Sequence, residues 1–253
     1  MPGRVSPRLA AVRGHAPEAG VLLDFDGTVA AIVVDPALAR PLPGTIPVLR
    51  ALVARFRLVA VVSGRPAAFL AQHLPVPGLL RVGSYGLERV VDGAVELSPE
   101  VGPWLPVVAE VVDVARRDAP RGALVEDKGV SVTLHFRGHP ETEAWARSFA
   151  GEQAAARGLV AHDARRSVEL RPPVPMDKGA AVSSLVTDAG LSAACVGGDD
   201  AGDLPAFDAV GGLPLGVRVA VRSEEAPPAL LAAADLVVDG PEGMLGVLRY
   251  LAG

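Results

Sequence analysis

Val21-Leu22-Leu23-Asp24-Phe25-Asp26-Gly27-Thr28 is an apolar run that gives way to two carboxylates and a glycine. A short, continuous apolar run closed by a turn signal fits a strand with both faces covered, so Val21–Phe25 reads as a buried strand whose carboxyl end carries chemistry. Along an extended chain Asp24 and Asp26 fall on the same side. Carboxylates held that close repel each other unless a cation or a shared proton stands between them. A hard divalent ion such as Mg²⁺, which prefers oxygen ligands, meets that need. Gly27 lets the backbone turn sharply toward a ligand. Taken alone, the segment is also compatible with an exposed Asp-Gly turn.

The same pattern recurs further along the chain. Leu58–Val62 runs into Ser63-Gly64-Arg65-Pro66, Leu79–Val82 into Gly83-Ser84-Tyr85-Gly86, and Ala194–Gly197 into Gly198-Asp199-Asp200. Leu49, Leu52, Val53 and Phe56 recur at helical spacing between the first two strands, and Ala181, Val182, Leu185, Val186 and Ala189 mark a helix opening near Lys178. Val217–Val221 and Leu236–Val238 are further strands, and Pro241 suits the first turn of a closing helix. Strands alternating with helices predict an α/β fold with a doubly wound parallel sheet. Ligands bind beyond the carboxyl ends of such strands, so four decorated strand ends favour an enzyme over a packing module.

The middle of the chain has a different rhythm. Trp104, Leu105, Val108, Val111, Val112 and Ala115 mark one helix, and Trp145, Phe149 and Gln153 another. Val130, Val132, Leu134 and Phe136 alternate with Ser131, Thr133, His135 and Arg137, which is the pattern of a half-buried strand. Val168 and Leu170 alternate in the same way with Ser167, Glu169 and Arg171. This antiparallel α+β pattern marks residues 101–174 as an inserted domain and leaves residues 1–100 and 175–253 to the α/β core. His135 and Arg137 share one strand face, and Glu169 and Arg171 share a face of another. That polar surface either meets a ligand or is the solvated side of the sheet.

The 253 residues are 50% hydrophobic and 21% charged, which fits a packed globule rather than a disordered chain. A net charge of -5 provides no basic footprint for nucleic acid. No stretch approaches the roughly 18 uninterrupted apolar residues of a membrane span. The N-terminal MPGRVSPRLAAVRGHAPEAG lacks the apolar run of a secretory signal and reads as a ragged leader before the first strand. Cys195 is the only cysteine, so no intrachain disulfide forms; this fits a reducing cytoplasm, and the apolar surroundings predict a buried core thiol. The five histidines are scattered, without zinc-ligand spacing. A cytoplasmic monomer acting on a small molecule is expected.

Each strand end suits phosphoryl transfer. Asp24 can attack phosphorus and form an acyl phosphate. Asp26 can protonate the departing oxygen and then deprotonate the hydrolytic water. Ser63 and backbone N–H groups beside it, such as that of Gly64, can hold phosphate oxygens. Lys178 can neutralise phosphate charge and keep Asp24 ionised. Asp199, Asp200 and Asp203 form an acidic cluster that is repulsive without a metal, though such acids also suit a helix N-terminus, and both roles can coexist.

Together Asp24-Phe25-Asp26-Gly27-Thr28, Ser63-Gly64-Arg65, Lys178, and Gly198-Asp199-Asp200 with Asp203 resemble the four ordered motifs of the haloacid dehalogenase (HAD) superfamily of phosphatases. The insertion between the second and third motifs looks like the cap domain of its sugar phosphatases. A narrower resemblance, to the trehalose-6-phosphate phosphatases, rests on VVSGRP at 61–66, VEDKGVSVTLHFR at 125–137, VELRPPVPMDKGAAV at 168–182 and GDDAGDLPAF at 198–207. The resemblance implies hydrolysis of trehalose 6-phosphate. It makes Asp24 the nucleophile and Asp26 the general acid/base. Mg²⁺ would be held by the Asp24 carboxylate, the Asp26 backbone carbonyl and Asp199, with Asp203 nearby. Ser63 and Lys178 would grip phosphate, and Arg65, Glu126, Lys128, Arg137, Glu169 and Arg171 would contact the sugar. Tyr85 stands where the family often carries His or Asn, and it can hydrogen-bond a sugar or stack on it. Gly202 stands where Thr is common. Sucrose 6-phosphate and glucosyl-3-phosphoglycerate are the alternative substrates for the same chemistry, and a catalytically silent sugar-phosphate-binding regulator is the non-enzyme alternative.

Overall fold

The computed structural model describes residues 6–253. The chain divides into two compact units: one holds the described residues up to Val33, Ala37–Glu96 and Met176–Gly253, and the other holds Val34–Pro36 and Leu97–Pro175.

Helix α1 (Pro7–Gly14) occupies part of the segment expected to be a ragged leader; residues 1–5 of that expectation lie outside the described residues. Leu9 and Val12, three apart on one helical face, are buried in the core, and Pro7 sits in the first turn where its missing N–H costs nothing. The first unit continues with β1 (Ala19–Leu23), α2 (Thr45–Val53), β2 (Leu58–Val62), α3 (Ala67–His73), β3 (Leu80–Gly83), β4 (Glu88–Val91) and β5 (Ala94–Leu97). The second unit carries α4 (Leu105–Asp118), β6 (Leu124–Asp127), β7 (Val132–His135), α5 (Glu143–Arg157), β8 (Val160–Ala164) and β9 (Ser167–Arg171). The chain then returns through α6 (Lys178–Asp188), β10 (Ala193–Gly198), α7 (Leu204–Gly211), β11 (Leu215–Arg222), α8 (Pro228–Ala233), β12 (Leu236–Asp239) and α9 (Gly240–Ala252).

The larger sheet runs β12-β11-β10-β1-β2-β3-β4-β5. It is parallel from β12 to β3, and β4 turns antiparallel to β3. The winding reverses at β1, which lies between β10 and β2, so the crevice beyond its carboxyl end is the natural ligand position. Val21 and Leu23 pack on one face with residues of α1, α2 and α9; Leu22 packs on the other with α6, α7 and α8. This two-sided covering explains the unbroken apolar strands of the sequence. Cys195, inside β10, is fully buried, and burial pushes its thiol up to about 12, which makes it inert.

Strand β1 stops at Leu23, two residues short of the expected Phe25. Asp24 still donates its N–H to the Gly197 carbonyl at 2.9 Å, but the Phe25 carbonyl then accepts from Val29 and Ala30, so the chain has already begun to turn. Simple alternation therefore does not place Asp26.

In the second unit the sheet runs β6-β7-β9-β8, antiparallel throughout. Its apolar face, with Val132, Leu134, Val168 and Leu170, packs on Val108, Val111 and Val112 of α4 and Phe149 of α5. The register lines up Glu126, Thr133, Glu169 and His162 in one row across the opposite face. Among the described residues no helix is long and apolar enough to cross a membrane.

Candidate active site

Four loops meet beyond the carboxyl ends of β1, β2, β3 and β10. Asp24 follows β1 directly and is buried. Lys178 opens α6, whose N-cap Asp177 accepts the Ala180 N–H. That cap fixes the first turn and sets the buried Lys178 ammonium 3.0 Å from Asp24 Oδ1 and 2.6 Å from Asp203 Oδ1. The other oxygen of Asp203 accepts the N–H groups of Asp199 at 2.9 Å and Asp200 at 3.1 Å. Asp200 in turn accepts the Gly202 N–H at 2.8 Å, closing a capping box with Asp203. Asp203 thus acts as a brace, tying Lys178 to the loop that carries Asp199, while Asp200 holds the turn.

One carboxylate oxygen each from Asp24, Asp199 and Asp203 lies within 4.8 Å of the others, and all three residues are buried. Gly27, at φ +71°, passes so close to this group that a Cβ there would lie 2.0 Å from Asp199 Oδ2; only glycine fits. Burial pushes the Asp24 carboxyl well above its usual range; Lys178 opposes this, and Asp203, Asp199 and Asp200 add to it. Burial likewise raises Asp203 against the pull of Lys178. Burial works to discharge Lys178, but Asp203, Asp24 and Asp200 outweigh it and hold the ammonium charged. One ammonium cannot balance three buried carboxylates. The donor set is all oxygen and the residual charge is negative, which fits a hard divalent cation.

The β2 loop is tied to the segment after β1 through Asp26. Buried Ser63 accepts the Arg65 N–H on its Oγ at 3.3 Å. Arg65 sends its guanidinium to Asp26, with both nitrogen–oxygen distances at 2.7 Å. The β3 loop is stitched over this segment: Ser84 N–H donates to the Arg65 carbonyl and Tyr85 N–H to the Ser63 carbonyl, both at 2.9 Å. Ser84 and Tyr85 take φ values of +47° and +60°, a left-handed conformation costing about 1 kcal/mol or more per side-chain-bearing residue. The Tyr85 ring lies on Gly64, where a Cβ would meet its Cζ at 2.5 Å. Tyr85 therefore shapes the Ser63–Gly64 loop.

In the second unit, Glu169 is the hub. Its Oε1 accepts from Ser131 Oγ at 2.7 Å and Lys128 Nζ at 3.2 Å, and its Oε2 lies 3.1 Å from an Arg171 guanidinium nitrogen. Burial alone would raise the Glu169 pKa, yet Lys128, Arg171 and the Ser131 hydrogen bond bring it down to about 2. Glu126 pairs with His135 at 2.7 Å in the same sheet. Arg137 lies beyond the end of β7 and donates to the Arg165 carbonyl at 3.4 Å. The sequence does not single out Ser131; its only signal is a polar place in an apolar alternation. Phe69, under the Arg65 guanidinium, carries no motif signal at all.

The family model described as Trehalose-phosphatase matches residues 22–230. The trehalose-phosphate phosphatase of Mycobacterium avium is 36% identical over 221 residues, covering 81% of this chain and 55% of its own length. That of Mycobacterium tuberculosis is 33% identical over 234 residues, covering 86% and 58%. The chain thus spans little more than half the length of these relatives. The trehalose-6-phosphate phosphatase C-terminal domain of C. albicans superposes with a TM-score of 0.80 at 21% identity over 98% of both chains. A trehalose-6-phosphate phosphatase related protein gives 0.79 at 22% identity, covering 92% of this chain and 96% of that one. A haloacid dehalogenase-like hydrolase from Bacteroides thetaiotaomicron gives 0.65 at 16% identity, covering 92% and 99%; these likenesses concern the fold.

Proposed function

We infer that this chain, which belongs to the trehalose-phosphatase family, hydrolyses trehalose 6-phosphate to trehalose and phosphate, as a step of trehalose biosynthesis. The observation that carries the reading is the buried Asp24 carboxylate, 3.0 Å from Lys178 Nζ and clustered with Asp199 and Asp203 at the carboxyl end of the central strand.

In this reading Asp24 Oδ attacks phosphorus and the bond from phosphorus to the sugar oxygen breaks. Asp26 gives that oxygen a proton and so releases trehalose. Water then attacks the acyl phosphate, its proton passes to Asp26, and Asp24 is freed with release of phosphate. Lys178, Ser63 and the Gly64 N–H hold the phosphate oxygens, so the charge that develops in flight meets donors already in place. Asp24, the Asp26 carbonyl and Asp199 would hold Mg²⁺, with Asp203 behind them. The ion, when bound, neutralises the carboxylates and the phosphate and orients the phosphate for attack.

The second unit is the cap, carrying the sugar-recognition residues Glu126, Lys128, Arg137, Glu169 and Arg171. What supports this assignment is a row of charged side chains on one sheet face, held by one another rather than by the apolar core. Charged groups are strong partners for sugar hydroxyls. The test is steady-state phosphate release from trehalose 6-phosphate, sucrose 6-phosphate, glucosyl-3-phosphoglycerate and glucose 6-phosphate. The highest kcat/KM is expected for trehalose 6-phosphate, with activity lost in EDTA and restored by Mg²⁺. A clear preference for another ester rejects the substrate, and full activity in EDTA rejects the metal.

A further inference from the structure

Arg65 closes on Asp26 with a two-pronged fork: Nε donates to Oδ2 and Nη2 to Oδ1, both at 2.7 Å. The Arg65 side chain is only 10% exposed. Its guanidinium carbon lies 4.9 Å from the Phe69 ring centroid, and Phe69 meets Phe25 edge-on at 5.7 Å. Phe25 is the fully buried residue between the two aspartates. The main chain of Arg65 is tied as well, its N–H to Ser63 Oγ and its carbonyl to the Ser84 N–H. The guanidinium is therefore anchored to the phosphate-facing loop at one end and to an aromatic pair continuous with the Asp24–Asp26 segment at the other.

Asp26 needs such an anchor. It lies past the end of β1 and meets Ala30 through an isolated bridge. A bidentate guanidinium fixes both the position and the plane of a carboxylate, which a point-charge ammonium cannot do.

Building on the reading of Asp26 as the proton-transfer group, we propose that Arg65 is its positioning residue rather than a contact for the sugar. The two arms of the fork set the position and the plane of the Asp26 carboxyl group, which proton transfer at a fixed sugar oxygen requires.

The test compares single-turnover release of the leaving group from a sugar phosphate, whose alkoxide must be protonated, and from an aryl phosphate, whose phenolate leaves without a proton. Arg65→Ala should slow release from the sugar phosphate about 10²-fold, the lower range for a general acid. Release from the aryl ester should change by less than about 3-fold, and in an Asp26→Asn background Arg65→Ala should add less than about 3-fold, because the two residues act as one unit. Arg65→Lys should recover part of the loss through a single arm. An equal loss on both esters means that Arg65 only supports the loop, and overturns the proposal. A raised KM for the sugar phosphate with its release rate intact means a direct sugar contact, and also overturns it. Turnover that survives Asp24→Asn would instead reject the phosphoryl-transfer reading itself, whatever Arg65 does.

Discussion

The molecule holds two buried charge clusters of opposite balance. Around Asp24, the carboxylates of Asp199 and Asp203 crowd one ammonium, and burial drives the Asp24 carboxyl up. Around Glu169, two cations and a hydroxyl surround one carboxylate, whose pKa is held at about 2. The difference lies in the count of partners rather than in burial. The Glu169 cluster satisfies itself, so it holds the shape of its sheet face. The Asp24 cluster is short of positive charge, and the divalent cation of the proposed function would restore the balance. The first cluster should therefore respond to substitution in turnover, and the second in stability.

The largest effect is expected from Asp24→Asn. The substitution removes the proposed nucleophile while nearly preserving volume, so phosphate release should fall by more than about 10³-fold, with a cooperative thermal transition retained. Turnover near that of the unaltered protein would refute the assignment of Asp24.

Next in size is Glu169→Gln. Lys128 and Arg171 would lose their carboxylate inside the fold, and breaking a buried pair from one side costs about 3 kcal/mol. Urea unfolding measures this loss. The sign with pH follows from the depressed pKa. Glu169 titrates near 2 when folded against 4.5 unperturbed, so its stabilising contribution is complete above 4.5 and disappears as pH falls toward 2. The gap between the two proteins should narrow over that window. A gap independent of pH would mean that the charge of Glu169 is not what stabilises the cluster.

The decorated strand ends were legible in the sequence because parallel strands covered on both faces must be apolar, so the polar residues that close them stand out. Strands β1 and β2, which close in Asp24 and Ser63, pair in parallel as that rhythm predicts. Helix α1 was not legible: only Leu9 and Val12 mark its buried face, in a segment rich in Pro, Gly and Arg. Strands β4 and β5 flank Asp92-Gly93, both at positive φ, and that Asp-Gly signal was present in the sequence. Strand β8 left no trace because it is mostly exposed and lacks an apolar face, and the turn after it places Arg166 at φ +56° with no glycine to announce it. The Arg65–Asp26 fork joins residues 39 apart, and no periodicity reports a contact of that kind.

The smallest predicted effect concerns Asp200, which braces the acidic loop from outside the cluster. Asp200→Ala removes the side-chain acceptor of the Gly202 N–H, and loss of such a cap costs about 1 kcal/mol. Thermal unfolding followed by circular dichroism would detect it. A loss of several kcal/mol would place Asp200 inside the buried charge balance rather than at its edge.

The cation is the pivot of the account, and anomalous diffraction from crystals soaked in Mn²⁺ locates it directly. The expected result is a single strong peak at metal–oxygen distance, about 2.0–2.3 Å, from both the Asp24 and Asp199 carboxylates. A peak elsewhere, with Asp24 bound to Lys178 alone at saturating Mn²⁺, would contradict it.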